Sequence, residues 1–224
     1  MNSFYSKVLT LLCFNIFLIF ACSAQDSIIR PTAYTVIGEL INGDLLVMLQ
    51  SERNKIEALQ LELEKGDVKY KKKVQKTIEK VKSDRDSFNR AFMQAMTEKY
   101  SFSKVYYFYD YDLPELQKSK FIGGRFLTKD LKKGLTRVFS NRSFYILKYS
   151  KTNTQSLDAF MLYDKDDNLI PKPFTSLRIN NFTTWKNHIF FSDQAEKLDA
   201  EYFAKKLQKK YRKIYEYYYK DTFM

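Results

Sequence analysis

The chain has 224 residues and a formal charge of +12, from 38 Lys and Arg against 26 Asp and Glu. Its single histidine excludes metal sites with two histidine ligands, and its two cysteines exclude a four-thiolate zinc site. With 17 Tyr and 19 Phe, the chain has ample apolar area for a buried core.

The first 24 residues have the pattern of an export signal. A polar start containing Lys7 precedes a mainly apolar run, 8–21, and the small-residue exit "ACSA" follows. The run is shorter than the ~20 residues that a membrane-spanning helix needs, which favours a cleaved signal. We expect cleavage after Ala24 and a periplasmic or secreted protein, whose charge falls from +12 to +11 with the loss of Lys7.

Cys22 offers a second outcome, in which a lipid is attached and the mature protein is an outer-membrane lipoprotein. The preceding residues fit a lipobox at Ile19 and Ala21, but the bulky Phe20 stands where that motif has a small residue. Cleavage after Ala24 removes both cysteines of the chain and leaves no thiol for a disulfide or a nucleophile.

Residues 25–43 predict a linker or extended segment, because Pro31 interrupts any helix there. The remainder, 44–224, predicts a single α+β domain that starts with helices over 44–100. Apolar residues recur there at helical spacings, at Leu45, Leu49, Ile56, Leu59 and Leu63 and then at Val74, Ile78, Val81, Phe88, Phe92 and Ala95. We expect a hairpin of two long amphipathic helices, or else one long bent helix with Gly66 inside it.

After Tyr100 the pattern changes to short aromatic and aliphatic runs, which predict a sheet region over 101–192. The strands are expected at "KVYYFYDYD" (104–112), "SFYILKYS" (143–150) and "DAFMLYDKD" (158–166), with "GG" at 123–124 as a flexible turn. A C-terminal amphipathic helix over 193–220 follows, with Asp193 as its N-cap. This order favours the α+β class with a mainly antiparallel sheet.

The stretch "VYYFYDYDLPEL" contains a candidate catalytic pair, Asp110 and Asp112. An apolar strand that ends in Asp-x-Asp resembles the first motif of haloacid dehalogenase-type phosphatases, and the resemblance implies Mg²⁺-dependent phosphoryl transfer by these two carboxylates. The chain departs from that motif at Leu113-Pro114, where the family has a further residue and then Thr. The other interpretation is a strand end at which Asp112 caps a short helix beginning at Leu113.

A second acidic stretch, "DKDDN" at 164–168, resembles the start of an EF-hand calcium loop. It lacks the Gly and the Glu that such a loop requires at 169 and 175, so we predict a polar turn. The sequence therefore predicts no metal and no cofactor.

Lys69, Lys73, Lys76 and Lys80 form the candidate binding surface, called the lysine face below. At ~100° per residue they lie on one line of the second helix, opposite its apolar seam. One interpretation is a solvated face of a helix that packs on the core. The other is a basic surface that binds anionic lipid, lipopolysaccharide or glycan. Nucleic acid is not expected, since an exported protein seldom meets it.

These observations favour a non-catalytic binding or scaffolding protein of the cell envelope. The alternatives are a Mg²⁺-dependent hydrolase that uses Asp110 and Asp112, and a structural protein that self-associates through coiled-coil helices. No sequence motif identifies an enzyme class.

Mass spectrometry of the mature N-terminus tests the export prediction. We expect Gln25 as the first residue and no acyl mass, because the small residues Cys22 and Ala24 suit cleavage after Ala24. A mature chain that begins at an acylated Cys22 would instead establish the lipoprotein.

Overall fold

A four-stranded mixed sheet lies at the centre of the fold. The computed structural model describes residues 32–139, 142–151, 158–174, 176–178, 184 and 194–219. The described elements are α1 (Ala33–Asn42), β1 (Asp44–Leu49), α2 (Arg53–Glu62), α3 (Val68–Lys99), β2 (Lys104–Tyr109), α4 (Leu113–Lys118), β3 (Ile122–Leu127), β4 (Lys133–Val138), β5 (Phe144–Lys151), β6 (Asp158–Tyr163) and α5 (Ala195–Tyr219). The export signal, Cys22 and Asp193 fall outside the described residues.

The strand order of the central sheet is β2-β1-β5-β6. Strand β1 pairs in parallel with both β2 and β5, and β6 pairs antiparallel with β5. The α+β class is confirmed, but the expected mainly antiparallel sheet is wrong at its centre. The connection from β1 to β2 is a helical crossover. It brings the chain back to the end of the sheet where β1 starts, so the two strands run parallel.

The strand β1 corrects the predicted start of the first helix. Residues 44–49, "DLLVML", are a strand buried on both faces, as an almost continuous apolar run favours in a parallel sheet. Leu45 and Leu49 are four residues apart, a spacing that fits one face of a helix and also one face of a strand. The bent-helix alternative is wrong, because Gly66 has φ +78° and the Asp67 carboxylate caps α3 at the Tyr70 amide, 2.8 Å away.

Helix α1 corrects the predicted extended segment 25–43 over residues 33–42. Thr32 caps this helix by accepting a hydrogen bond from the Thr35 amide at 3.2 Å. Val36, Ile37 and Leu40 are buried at the i, i+1 and i+4 positions of one face. Residues 25–31 of that predicted segment lie outside the described residues.

The two faces of the sheet are covered by different elements. Helices α1, α3 and α5 cover one face, where Phe92 of α3 packs against Phe160 and Phe203, each with ring centroids 5.3 Å away. Helix α4 and the β3–β4 hairpin cover the other face, around residues such as Leu46 and Phe126. The predicted flexible turn at 123–124 is wrong, since both glycines lie inside β3.

Helix α3 extends beyond the sheet. Its 32 residues span about 48 Å, whereas the six residues of β1 span about 20 Å. The Arg85 guanidinium and the Asn89 amide donate hydrogen bonds to the carbonyl oxygens of Ser51 and Gln50, 3.0 and 3.1 Å away, at the carboxyl end of β1. The part of α3 before Arg85 therefore projects past the sheet edge and packs on α2.

The projecting hairpin of α2 and the first half of α3 has a small core of its own. Ile56 of α2 packs against Val74 and Ile78 of α3, and Leu59, Leu63 and Val81 surround them. The predicted hairpin is thus present, but its first helix has only ten residues.

The substitution Phe92→Ala tests the packing of α3 on the sheet. Phe92 is 1 % exposed, so we expect a loss of about 3–5 kcal/mol in the free energy of unfolding, measured with urea. The matched variant on the same helix is Val68→Ala, at a side chain that is 84 % exposed, and it should cost less than about 0.5 kcal/mol. Equal losses for the two variants would contradict the described core.

Candidate functional site

The lysine face lies on the outer side of the projecting hairpin. Lys69, Lys73, Lys76 and Lys80 are all exposed. Val74 and Ile78, on the opposite side of the same helix, are buried against α2. The predicted solvated basic face is therefore present as a surface.

The first half of α3 has a strong excess of positive charge. Residues 68–82 contain seven lysines, the four of the lysine face and Lys71, Lys72 and Lys82, against the single acid Glu79. Among the described residues, no ion pair involves any of the four lysines of the lysine face. Their charge is therefore available to an external anion.

Two acidic residues of helix α2 form ion pairs with nearby cations. In α2 and the following loop, Glu57 pairs with Arg53 at 2.6 Å, and Glu62 pairs with Lys65 at 2.8 Å. The ion pair with Lys65 and the hydrogen bond from Tyr70 lower the pKa of Glu62. The hairpin thus has one basic helix and one helix whose acids pair locally.

The apolar seam expected to mediate self-association is buried inside the chain. Its first part packs on α2, and its second part, which includes Phe92 and Ala95, packs on the sheet and α5. A second copy of the chain would have to bind through a different surface.

Asp110 and Asp112 do not lie on a strand. Strand β2 ends at Tyr109, and residues Asp110–Asp112 form one turn of 3₁₀ helix, so the strand predicted over 104–112 is wrong at its last three residues. The alternation of side chains along a strand does not apply to these residues, because the backbone turns directly after the last paired residue of β2.

The Asp112 carboxylate is already paired with two cations. It is 1 % exposed, and its Oδ1 accepts from Lys133 Nζ at 2.7 Å and from Arg125 Nη1 at 3.1 Å. Helix α4 begins at Leu113 as predicted, but Asp112 makes no capping hydrogen bond. The Asp110 carboxylate accepts from the Tyr111 amide at 2.9 Å. Within the described ranges, no group of three His, Cys, Asp or Glu residues is arranged to hold a metal ion.

The acidic stretch 164–168 is a turn, as predicted. Asp164 Oδ1 accepts hydrogen bonds from the backbone amides of Asp166 and Asn168 at 2.9 and 2.8 Å. Asp167 forms an ion pair with Lys148 on the neighbouring strand β5. Backbone amides thus bind the Asp164 carboxylate, and a lysine binds that of Asp167.

A crevice that the sequence did not predict lies where the hairpin joins the sheet. It has a volume of about 410 Å³ and is lined by Gln50, Ser51, Glu52, Arg53, Asn54, Lys55, Asp110 and Tyr111. These residues follow the carboxyl ends of β1 and β2. The sequence pattern placed the residues of β1 in a helix, so it did not predict that a strand ends here.

Comparisons of the chain with protein-family models, with curated proteins and with solved structures find no match. None of the described helices combines the length and the apolar character that a membrane-spanning segment needs. The interpretation of the lysine face and of the crevice thus depends on their geometry and charge.

The substitution Asp112→Asn tests the role of this buried carboxylate. We expect a loss of about 1–3 kcal/mol in the free energy of unfolding, because Arg125 and Lys133 lose their shared anion but remain partly exposed. The matched variant Asp110→Asn should cost less than about 1 kcal/mol, since Asn can still accept from the Tyr111 amide. A neutral Asp112→Asn in urea unfolding would contradict this structural role.

Proposed function

We propose that the protein is a non-catalytic, exported binding domain of the cell envelope, which attaches to an anionic surface through the lysine face. The observation that carries the proposal is the projecting hairpin, which presents unpaired lysines beyond the edge of the sheet. Export and the envelope location rest on the signal pattern of residues 1–24.

The shape of the lysine face suits an extended partner. From Lys69 to Lys80 the helix rises about 16 Å, so the four ammonium groups form a line too long for one small ligand. Each lysine near an anionic lipid surface contributes on the order of 1 kcal/mol, and several together give stable but salt-sensitive binding. The partner classes with such a surface are anionic phospholipid, lipopolysaccharide and acidic glycan.

The alternative outcome, in which the mature protein is a lipoprotein, would strengthen the proposed attachment to an anionic surface. An acyl chain on Cys22 and the basic helix would supply two membrane attachments, where one chain alone binds only marginally. The hydrolase alternative has less support, because two cations share Asp112 Oδ1.

Co-sedimentation with vesicles tests the proposed attachment. We expect binding to vesicles that contain an anionic phospholipid, weak binding to neutral vesicles, and a steep decline between low and physiological salt. Replacing the four lysines of the lysine face with Gln should weaken binding at least tenfold, because their phosphate contacts are lost.

A matched control removes the same charge from another helix. Lys197, Lys205, Lys209 and Lys213 are exposed on α5, and their replacement with Gln should leave most of the affinity. If the two quadruple variants weaken binding equally, the attraction depends on the net charge of the protein and not on the lysine face. Binding that is insensitive to salt would contradict the electrostatic mechanism.

A further inference from the structure

The far end of the projecting hairpin carries exposed apolar side chains. We call residues 61–70 the hairpin tip, which comprises the end of α2, the connecting loop and the first residues of α3. Leu61 is 61 % exposed and Val68 is 84 % exposed, more than any other large aliphatic side chain among the described residues. Two such side chains near the turn of one hairpin form an apolar feature that single exposed residues elsewhere do not.

The fold does not use these two side chains. The small core of the hairpin lies around Ile56, Val74 and Ile78, and neither Leu61 nor Val68 packs against it. A valine at the exposed start of a helix also gives no advantage in helix propensity, since straight-chain residues are better helix formers. The packing of the described chain therefore does not explain why the hairpin tip is apolar.

Local contacts hold the backbone of the hairpin tip in one conformation. Gly66 has φ +78°, a left-handed conformation that glycine adopts without strain. The Asp67 carboxylate accepts from the Tyr70 amide at 2.8 Å, and Glu62 accepts from Lys65 at 2.8 Å and from the Tyr70 hydroxyl at 3.1 Å. A surface that is ordered in advance loses little entropy when a partner binds.

Lysines surround the apolar tip and leave it positively charged. Residues 61–73 contain five lysines against three acids, and Lys69 and Lys73 of these also belong to the lysine face. Two of the three acids are engaged within the tip, Glu62 by Lys65 and Asp67 by the cap of α3. The tip therefore combines exposed aliphatic side chains with an excess of cations.

This combination favours a lipid bilayer over a soluble polyanion. An acidic glycan offers anionic groups to the lysines but no apolar phase to Leu61 and Val68. A phospholipid bilayer offers both, because its phosphates lie directly above the hydrocarbon. The Tyr70 ring, 40 % exposed, is of the amphipathic kind that is enriched at membrane interfaces.

We propose that the hairpin tip enters the interface of an anionic phospholipid bilayer, with Leu61 and Val68 at the level where the headgroups meet the acyl chains. Lys69 and Lys73 then lie close to the lipid phosphates, and the rest of the lysine face follows along the headgroups. The inference rests on the proposed function for its electrostatic attraction. It adds the class of partner, a bilayer, and the part of the protein that enters it.

The double variant Leu61→Ser, Val68→Ser tests the proposal by binding to two probes at the same low ionic strength. The probes are vesicles that contain an anionic phospholipid and dextran sulfate, a polyanion without an apolar phase. We expect about tenfold weaker binding to the vesicles, because two apolar side chains no longer leave water there, and unchanged binding to dextran sulfate. The lysine-face variant with four Gln should lose affinity for both probes.

The matched control is Ile122→Ser, Val138→Ser. These aliphatic side chains are 44 % and 57 % exposed and lie opposite each other in the β3–β4 hairpin. Their replacement removes a similar amount of exposed apolar surface and should leave the vesicle affinity unchanged. All four replaced side chains are exposed, so both double variants should keep the melting temperature of the natural protein within a few degrees.

A depth measurement supplies a second readout. In Val68→Trp, the fluorescence of the new tryptophan should be quenched by lipids that are brominated on their acyl chains. In Val138→Trp, the added fluorescence should not be quenched. Trp185 is present in both variants and in the natural protein, which gives its background.

The outcomes separate this inference from the proposed function. A vesicle affinity unchanged by Leu61→Ser, Val68→Ser, an equal loss in the control pair or for dextran sulfate, or no quenching at position 68 would overturn the inference. Binding of the natural protein to dextran sulfate but not to vesicles would overturn it as well and would leave the lysine face with a glycan as its partner. Full affinity of the lysine-face variant for both probes would instead contradict the proposed function.

Discussion

The mismatch in length between helix α3 and the sheet determines the form of this protein. The helix must run from the far end of α2 back to the start of β2, and it is more than twice as long as the strands it covers. Its second half completes the core, while its first half has no sheet beneath it and packs on α2. The boundary lies at Arg85 and Asn89, whose side chains bond to the chain directly after β1.

Both candidate surfaces follow from that boundary. Beyond it, α3 needs only a narrow apolar stripe for contact with α2, so most of its circumference is free to be basic. At the boundary, the same two side chains order the loop that forms one wall of the crevice. The protein thus presents an extended basic surface and a small crevice as separate features.

The sequence predicted the features that depend on local periodicity. The position of α3, the helix at the C-terminus, three strands and the exposure of the lysine face all follow from spacing along the chain. Features that depend on the pairing of strands were missed. The spacing of Leu45 and Leu49 fits a helix and a strand equally, and Gly123 led to the prediction of a turn where β3 lies. The crevice combines residues about 60 positions apart, such as Ser51 and Tyr111, so no local pattern could predict it.

Residue-resolved hydrogen exchange along α3 tests the division of this helix most directly. If the helix is divided at Arg85, amides of the projecting part should exchange through local opening of the hairpin, at a free energy well below that of global unfolding. Amides from Asn89 to Lys99 should exchange only through global unfolding, because they lie over the buried core. Equal protection along all of α3 would contradict the account, since it would make the hairpin part of the same cooperative unit as the sheet.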